Sequence, residues 1–305
     1  MAAGWKPSLS YAQARPRIGV LMTAEIEPFR SAFLEGLKAQ GYTVGENIEV
    51  EIRTAAGQMD KLPELAAELV RSGVNVLVTH QTPAALAVRN ATKTIPVVIS
   101  AGDPIGTGLV ASLSKPGGNV TGVSSTTGEL AGKLLELVRE LVPTTQRVGV
   151  LANATDPFTR PFLAQITSGA KALAIDLHPV SVNGVQDYES AFAEMVKAKV
   201  QAVVVQPSLP RRKAIDLATS HGMLSVSPAK VIALDGGLIA YSANLTDGYR
   251  ALAVYVQKIL KGEKPADLPM QQPTKFELAV NLKTAKALSL TVPSQLLLRA
   301  DEVVE

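Results

Sequence analysis

The apolar and polar positions of the chain follow one arrangement in both halves. In residues 17–37 a β-type apolar run, R-I-G-V-L-M, is followed by a short polar loop and then by apolar residues at helical spacing. Residues 147–174 have the same order and begin R-V-G-V-L-A-N-A-T-D. Each half therefore starts with a buried strand whose C-terminal end carries hydroxyl, amide or carboxylate groups. We expect two similar α/β lobes that face each other across a cleft.

Strand and helix patterns alternate along the rest of the chain. The predicted strands cover residues 18–22, 48–53, 74–79, 95–100, 120–123, 148–151, 176–182, 202–206, 224–226, 238–241 and 276–281. Predicted helices cover residues 28–40, 62–72, 106–113, 130–141, 158–174, 188–197, 211–221 and 247–260, and a further helix opens at Thr82. This β-α-β order predicts parallel sheets that are covered by helices on both faces. The expected fold class is α/β, with two doubly wound parallel-sheet lobes.

Ligands bind open parallel sheets outside the C-terminal ends of the strands, where loops supply N–H groups and helix N-termini carry partial positive charge. The residues expected there are mostly small and polar, which suits hydrogen bonding to a polar small molecule. The candidate ligand-binding residues are Thr23, Gln81, Thr82, Asp103, Ser124, Ser125, Thr126, Asn153, Asp156, Gln206, Ser208 and Tyr241. A helix cap is the alternative role for Asp103 and Asp156, and a place in the core or hinge is the alternative for Tyr241.

The sequence offers little for catalysis. None of the three histidines has a second histidine or a carboxylate at metal-ligand spacing, although His80 ends a predicted strand and could reach the cleft. There is no P-loop, no G-x-S-x-G and no H-E-x-x-H, and no G-x-G-x-x-G follows the first strand. We therefore expect a binding protein with no catalytic residues, no metal and no cofactor.

Composition narrows the possible partners. The net charge of +3 comes from basic residues scattered along the chain, which argues against a nucleic-acid partner. The absence of cysteine excludes a disulfide framework and thiolate metal sites. Residues 1–14 end in A-Q-A, a signal-peptidase-like pattern that lacks a preceding apolar region, so we interpret them as a signal-peptide remnant or a disordered leader. No stretch reaches the length of a membrane span.

Several longer motifs carry a family resemblance. They are T-P-A-A-L-A at 82–87, T-I-P-V-V at 94–98, D-P-I-G-T-G-L-V-A-S-L at 103–113, K-P-G-G-N-V-T-G at 115–122, I-L-K-G-E-K-P-A-D-L-P at 259–269 and Q-P-T-K-F-E-L-A-V-N-L-K-T-A-K-A-L at 272–288. Together they resemble the ABC-transporter substrate-binding proteins of the periplasmic-binding-protein type I fold, a family that includes tryptophan-binding components. The similarity extends from Arg17 to Glu305.

The resemblance implies a monomeric periplasmic receptor that closes on a small polar ligand and presents it to a membrane permease of an ABC importer. The implied ligand is an aromatic or branched amino acid, or a related carboxylate. Its carboxylate would meet Thr82 and 124–126, and its ammonium would meet Asp103 or Asp156. Three interlobe crossings near Val123, Tyr241 and Pro273 are also implied. They give lobe I as 15–123 and 242–273, and lobe II as 124–241 and 274–305.

Other functions of the same fold stay open at this point. A cytoplasmic ligand-sensing regulatory domain would share the fold, but no helix-turn-helix precedes Arg17. A sugar receptor usually stacks its ligand on aromatic rings, and aromatic residues make up only 4% of this chain. A two-lobed racemase would need facing acid/base residues, and the lack of cysteine removes the common pair. Relative to the family, residues 23–28, 225–233 and 242–244 diverge, so we expect the ligand's side-chain specificity to differ there.

Overall fold

Two sheets organise the chain. The structure is a computed structural model that describes residues 15–24, 27–125 and 127–305, so the expected leader at 1–14 lies outside the described residues. The first sheet has the order β2-β1-β3-β4-β5 and is parallel throughout. Its strands are β1 (Arg17–Met22), β2 (Glu49–Thr54), β3 (Val76–His80), β4 (Val97–Gly102) and β5 (Val120–Ser125).

The second sheet has the order β12-β11-β10-β9-β8-β6-β7. Its strands are β6 (Arg147–Asn153), β7 (Asp176–Val182), β8 (Ala202–Val205), β9 (Leu224–Ser227), β10 (Ile239–Ala243), β11 (Phe276–Asn281) and β12 (Glu302–Val304). Strands β10 and β11 are antiparallel, and the other pairs are parallel. The two sheets correspond to the two doubly wound lobes expected from the repeated pattern.

Helices cover both sheets. They are α1 (Phe29–Ala39), α2 (Leu62–Arg71), α3 (Thr82–Ala91), α4 (Thr127–Leu141), α5 (Thr159–Ala172), α6 (Tyr188–Lys197), α7 (Arg212–Ser220), α8 (Val231–Leu234), α9 (Leu245–Leu260), α10 (Leu282–Ala287) and α11 (Ser294–Leu298). Helix α1 buries Phe29, Phe33 and Leu37 at helical spacing. Gly36 allows it to approach α9 closely, since a Cβ at this position would lie only 2.8 Å from the Arg250 carbonyl oxygen.

Each sheet lies between two apolar layers. Successive residues of a strand point to opposite faces, and Val20 and Leu21 of β1 accordingly belong to different core clusters. Val150 and Leu151 of β6 divide in the same way in the second sheet. All four side chains are fully buried. The continuous apolar runs noted in the sequence are therefore explained by strands with helices on both sides.

The chain passes between the lobes at the ends of strands. It goes from β5 in the first sheet to α4, which packs in the core of the second, and it returns between β10 and α9. Asn244 caps α9 at this return, where its Oδ1 accepts a 2.9 Å hydrogen bond from the Asp247 N–H. Gln271 pairs with β5 before the chain crosses again to β11. Over the described residues, the chain therefore crosses between the two lobes three times.

Two expectations about elements were wrong, and several short elements were not predicted. Residues 106–113 form turns instead of a helix, because Gly108 adopts φ +71° and the Leu109 and Val110 N–H groups both bond the Pro104 carbonyl oxygen. The second sheet is not fully parallel, since β11 runs against β10. The short elements α8, α11 and β12 have too few residues for a periodic pattern, so the sequence does not predict them.

Candidate ligand-binding site

A large cavity lies between the facing ends of the two sheets. Its volume is about 1140 Å³, slightly above the range of about 300–1,000 Å³ typical of small-molecule pockets. One wall comes from residues that end or follow the strands of the first sheet, and the other comes from residues in the same position on the second. The cavity therefore lies where ligands bind to open α/β sheets.

The first lobe contributes hydroxyls, amides and a helix start. Thr23 follows β1, Gln81 and Thr82 follow β3, and Ser125 ends β5. The Thr23 hydroxyl donates to the Gln81 side-chain oxygen at 2.5 Å, and the Thr82 hydroxyl donates to the Gly102 carbonyl oxygen at 3.3 Å. Thr82 opens α3, which has no side-chain cap. Because the first-turn N–H groups of a helix have no partner within it, this end of α3 can receive a carboxylate.

The second lobe contributes a buried polar network around Asp156. This carboxylate is 5% exposed and accepts hydrogen bonds from the Phe158 N–H at 2.9 Å and the Gln206 side-chain nitrogen at 3.0 Å. The Gln206 side-chain oxygen in turn accepts from the Asn153 N–H and the Thr159 hydroxyl, both at 2.9 Å. These bonds fix the amide of Gln206 with its nitrogen towards Asp156. The network holds the carboxylate rigidly at the cavity wall.

Burial raises the pKa of Asp156 above its ordinary value, and hydrogen bonds from Ser208, Phe158 and Gln206 oppose this shift only in part. Within residues 15–24, 27–125 and 127–305, no lysine, arginine or histidine forms an ion pair with this carboxylate. A buried carboxylate without a counter-charge is costly. Asp156 is therefore suited to receive a cationic group from a ligand.

Aromatic rings form another part of the wall. Phe29 and Tyr249 meet edge to face with centroids 5.0 Å apart, and Tyr249 meets His80 at 5.1 Å. The Tyr249 hydroxyl and His80 Nε2 are 3.1 Å apart. Phe158 also lines the cavity, from the second lobe. This apolar, aromatic surface suits the side chain of an apolar or aromatic ligand.

The pKa of His80 is lowered from 6.5 to about 4 by burial, so the ring is neutral at pH 7. We expect acidification from pH 6.5 towards pH 4 to destabilise the protein through this group, because the unfolded chain takes up a proton there and the folded chain does not. The contribution is on the order of 2 kcal/mol. Urea unfolding of the wild type and of His80→Phe at pH 7, 5.5 and 4 measures it.

The His80→Phe comparison has an internal control. Loss of the Tyr249 hydrogen bond lowers the stability of this variant equally at all three pH values, so only the change with pH reports on His80. The variant should lose less stability than the wild type between pH 7 and pH 4. Equal losses in the two proteins would contradict the prediction.

Basic residues at the cavity are paired with acids. Lys230 Nζ lies 3.1 Å from a Glu277 oxygen and 2.6 Å from a Glu302 oxygen. Arg211 and Arg212 both contact Asp235, at 2.5 Å and 3.1 Å. These cations have carboxylate partners within the protein. A ligand carboxylate is thus better served by the start of α3 than by these side chains.

The structure brings most of the predicted site residues to one cavity. Those that line it are Thr23, Gln81, Thr82, Ser125, Asp156, Gln206 and Ser208. Thr126 lies outside the described residues. Four others, Asp103, Ser124, Asn153 and Tyr241, are not part of its lining. The site as a set of ligand contacts stays a prediction.

Local bonding explains why those four residues lie elsewhere. Asp103 Oδ1 accepts a 2.8 Å bond from the Gly106 N–H, so its carboxylate closes a turn. Ser124 is buried in β5, and its N–H donates to the Gln271 carbonyl oxygen. Asn153 supports Ser208 from behind, through its side-chain nitrogen at 3.3 Å. Tyr241 stacks on Phe276 with centroids 6.2 Å apart.

Sequence reasoning missed some lining residues. Tyr249 lines the cavity from the second turn of α9, where the sequence predicts only a helix over 247–260. The available signal was its position shortly after the predicted crossing near Tyr241, and the first turns of α9 do line the cavity. The described ranges contain no group of three or more histidine, aspartate or glutamate side chains able to hold a metal ion. None of the helices in these ranges has the length and apolarity needed to cross a membrane.

Comparisons with known proteins agree with this architecture. A sequence model of the family described as ABC transporter substrate binding protein matches residues 23–304. The tyrosine-binding protein of Clostridioides difficile strain R20291 is 27% identical over 290 residues, which cover 90% of this chain and 81% of that protein.

Two solved structures share nearly the whole fold. A conserved domain protein from Vibrio cholerae superposes with a TM-score of 0.89 at 27% identity, covering 94% of this chain and 99% of that one. An ABC domain from Streptococcus pneumoniae in complex with L-Trp gives a TM-score of 0.86 at 26% identity, covering 95% and 100% of the two chains.

Proposed function

Because the chain belongs to the family of ABC transporter substrate-binding proteins, we propose that it is an exported receptor that captures an amino acid and delivers it to a membrane permease. The ligand would bind in the cavity between the lobes. The observation that carries this proposal is Asp156, a buried carboxylate at the cavity wall with hydrogen-bond donors but no cationic partner among the described residues. An α-ammonium group would supply the missing charge.

The two ends of an amino acid match two sides of the cavity. Its ammonium would meet Asp156 on the second lobe, and its carboxylate would meet the N–H groups and the hydroxyl at the start of α3, where Thr82 lies. Ser125 lines the cavity at the end of β5 and is a further candidate for the carboxylate. Because the two charged ends would contact different lobes, an amino acid would favour closure of the cleft.

The ligand's side chain would be aromatic. Phe29, His80 and Tyr249 form an apolar ring cluster on the first lobe, and Phe158 adds a ring from the second. The names of two similar proteins mention tyrosine and L-Trp. These observations support an aromatic amino acid over a branched one.

The receptor would work by hinge bending as a monomer in the periplasm. In this proposal lobe I consists of residues 15–123 and 242–273 and lobe II of residues 124–241 and 274–305, with residues 1–14 as the remnant of an export signal. Ligand shifts the population towards the closed form because only that form makes contacts from both lobes. The permease would then accept the ligand from the closed receptor.

A thermal-shift screen tests the ligand class. We expect L-Tyr, L-Trp or L-Phe to raise the melting temperature in proportion to the logarithm of ligand concentration, because each would bind only the folded protein. Two matched ligands test the ends separately: N-acetyl-L-tyrosine lacks the ammonium and tyramine lacks the carboxylate. Neither should stabilise the protein comparably. Stabilisation by N-acetyl-L-tyrosine equal to that by L-Tyr, or by sugars alone, would overturn the proposal.

A further inference from the structure

Gln81 has an unusual backbone conformation at the cavity. Its φ is +70° and its ψ is 153°, a region that residues other than glycine rarely adopt. The position is held by its N–H, which donates to the Ser100 carbonyl oxygen at 2.8 Å, and by its carbonyl, which accepts from the Ala85 N–H at 3.1 Å. A strained residue persists only where its surroundings hold it, and such residues concentrate at functional sites.

The strained backbone directs the Gln81 side chain across the cleft. Its oxygen accepts from the Thr23 hydroxyl at 2.5 Å in the same lobe, and its nitrogen donates to the Pro207 carbonyl oxygen at 3.4 Å in the other lobe. If the amide were rotated by 180°, its oxygen would face the Pro207 oxygen and repel it. The Pro207 carbonyl can only accept, so it fixes the amide nitrogen towards the second lobe, and the Thr23 hydroxyl then donates to the amide oxygen on the other side.

A second direct contact joins the lobes. The Phe158 ring of the second lobe packs on the backbone of Gly102 at the end of β4, so closely that a Cβ on Gly102 would lie 2.8 Å from two ring carbons. This contact and the bond between Gln81 and Pro207 involve protein atoms alone. Both therefore favour the closed arrangement independently of any ligand.

We propose that Gln81 is a closure residue, whose amide links the two lobes so that the protein populates the closed form before ligand binds. The proposal rests on the proposed function only in that closure serves ligand capture. Apparent affinity equals intrinsic affinity multiplied by the fraction of protein that is binding-competent. By raising this fraction, the bond to Pro207 strengthens binding of every ligand of the closed form.

Single-molecule FRET between the lobes tests closure without a ligand. The chain contains no cysteine, so Gln58→Cys and Gln186→Cys provide two unique labelling sites. Both residues are exposed, and they follow β2 and β7, the edge strands of the two sheets that lie away from the crossings. Closure should shorten the distance between them. The measurement needs no assumption about the ligand.

Three variants isolate the contribution of Gln81. Gln81→Ala removes the amide and keeps the strained φ, Gln81→Gly removes both, and Thr23→Val removes only the hydroxyl that bonds the amide oxygen within the first lobe. We expect the ratio of closed to open protein to fall about five-fold in both Gln81 variants, the effect of one hydrogen bond, and by less in Thr23→Val. Gln81→Gly should melt at a higher temperature than Gln81→Ala because it relieves the strain.

Gln257→Ala is the matched control. It removes a glutamine amide that donates to the Gln40 carbonyl oxygen at 3.3 Å within the first lobe, so the closed fraction should stay unchanged. A wild type without a closed population in the absence of ligand would overturn the proposal. So would Gln81→Ala with unchanged closure and weaker ligand binding, which would make Gln81 a ligand contact only. Failure of the amino-acid screen would leave the FRET result unaffected.

Discussion

Replacing Asp156 with asparagine should weaken binding of an α-amino acid about 100-fold. Asparagine keeps the shape of the side chain and its bond from the Phe158 N–H, but it replaces the oxygen that accepts from Gln206 with an NH2 group and removes the charge that would pair with the ligand ammonium. Loss of one partner from a buried, hydrogen-bonded charge pair costs about 3 kcal/mol, which corresponds to roughly 100-fold in Kd. Isothermal titration calorimetry with the ligand found by thermal shift measures the change.

Asp103→Asn is the matched control for this substitution. Its side-chain oxygen can still accept from the Gly106 N–H, and the residue is not part of the cavity lining. We expect its Kd to stay within about two-fold of the wild type, inside the usual effect of a distant surface change. A large loss in Asp103→Asn together with unchanged binding in Asp156→Asn would assign the ammonium to Asp103 instead.

Binding should also weaken as the pH falls. Because burial raises the pKa of Asp156, a larger fraction of this carboxyl is protonated at a given acidic pH than for an ordinary aspartate. An ammonium ligand needs the ionised form, so binding releases a proton in this range. The pH dependence should be absent from Asp156→Asn, which has no carboxyl to titrate.

The architecture could be predicted from the sequence because strands buried on both faces produce continuous apolar runs. The expected α/β class with two lobes is confirmed by the two sheets and by the solved structures with high TM-scores, and the expected family by the match over residues 23–304. The antiparallel direction of β11 could not be predicted, because the apolar pattern of a strand is the same in both directions. Likewise, turns at 104–110 depend on glycine dihedral angles and not on periodicity.

The sequence predicted that the site lies at the strand ends, but not which side chains there reach the cavity. Thr23, Gln81 and Asp156 follow strands and line the cavity, as the rule for parallel sheets requires. Asp103 also follows a strand, but its carboxylate is used by a turn, and local hydrogen bonds of this kind are not visible in a residue pattern. Tyr249 reaches the cavity through the packing of α9 on the first lobe, which depends on contacts between distant parts of the chain.

In these proposals Asp156 recognises the ligand, whereas Gln81 closes the cleft. The carboxylate is held by donors from its own lobe and leaves the cavity side for a cationic group. Gln81 instead connects the lobes directly and makes its bond with protein atoms. Variants at the two positions should therefore have different effects. Asp156→Asn changes the intrinsic affinity for the ligand, whereas Gln81→Ala changes the fraction of closed protein.

Gly122→Ala should strongly destabilise the fold. Gly122 lies in β5 with φ +137°, and a Cβ there would lie 2.1 Å from the Ile99 carbonyl oxygen of the neighbouring strand. The Cβ is held rigidly by the backbone and the Ile99 oxygen is a backbone atom, so no side-chain rotation relieves the clash. We expect a loss of about 3 kcal/mol or more in the free energy of unfolding.

Gly45→Ala separates the clash from the backbone strain. Gly45 also has a positive φ, +85°, but a Cβ there would meet nothing within 4 Å. Its substitution should cost only the left-handed strain, about 1 kcal/mol. Urea unfolding monitored by circular dichroism compares the two variants with the wild type, and equal losses would contradict the role of the contact with Ile99. The Gly122 carbonyl oxygen accepts a 2.9 Å hydrogen bond from the Gln271 N–H beside the lobe crossing. A displacement of β5 in Gly122→Ala should therefore also weaken ligand binding.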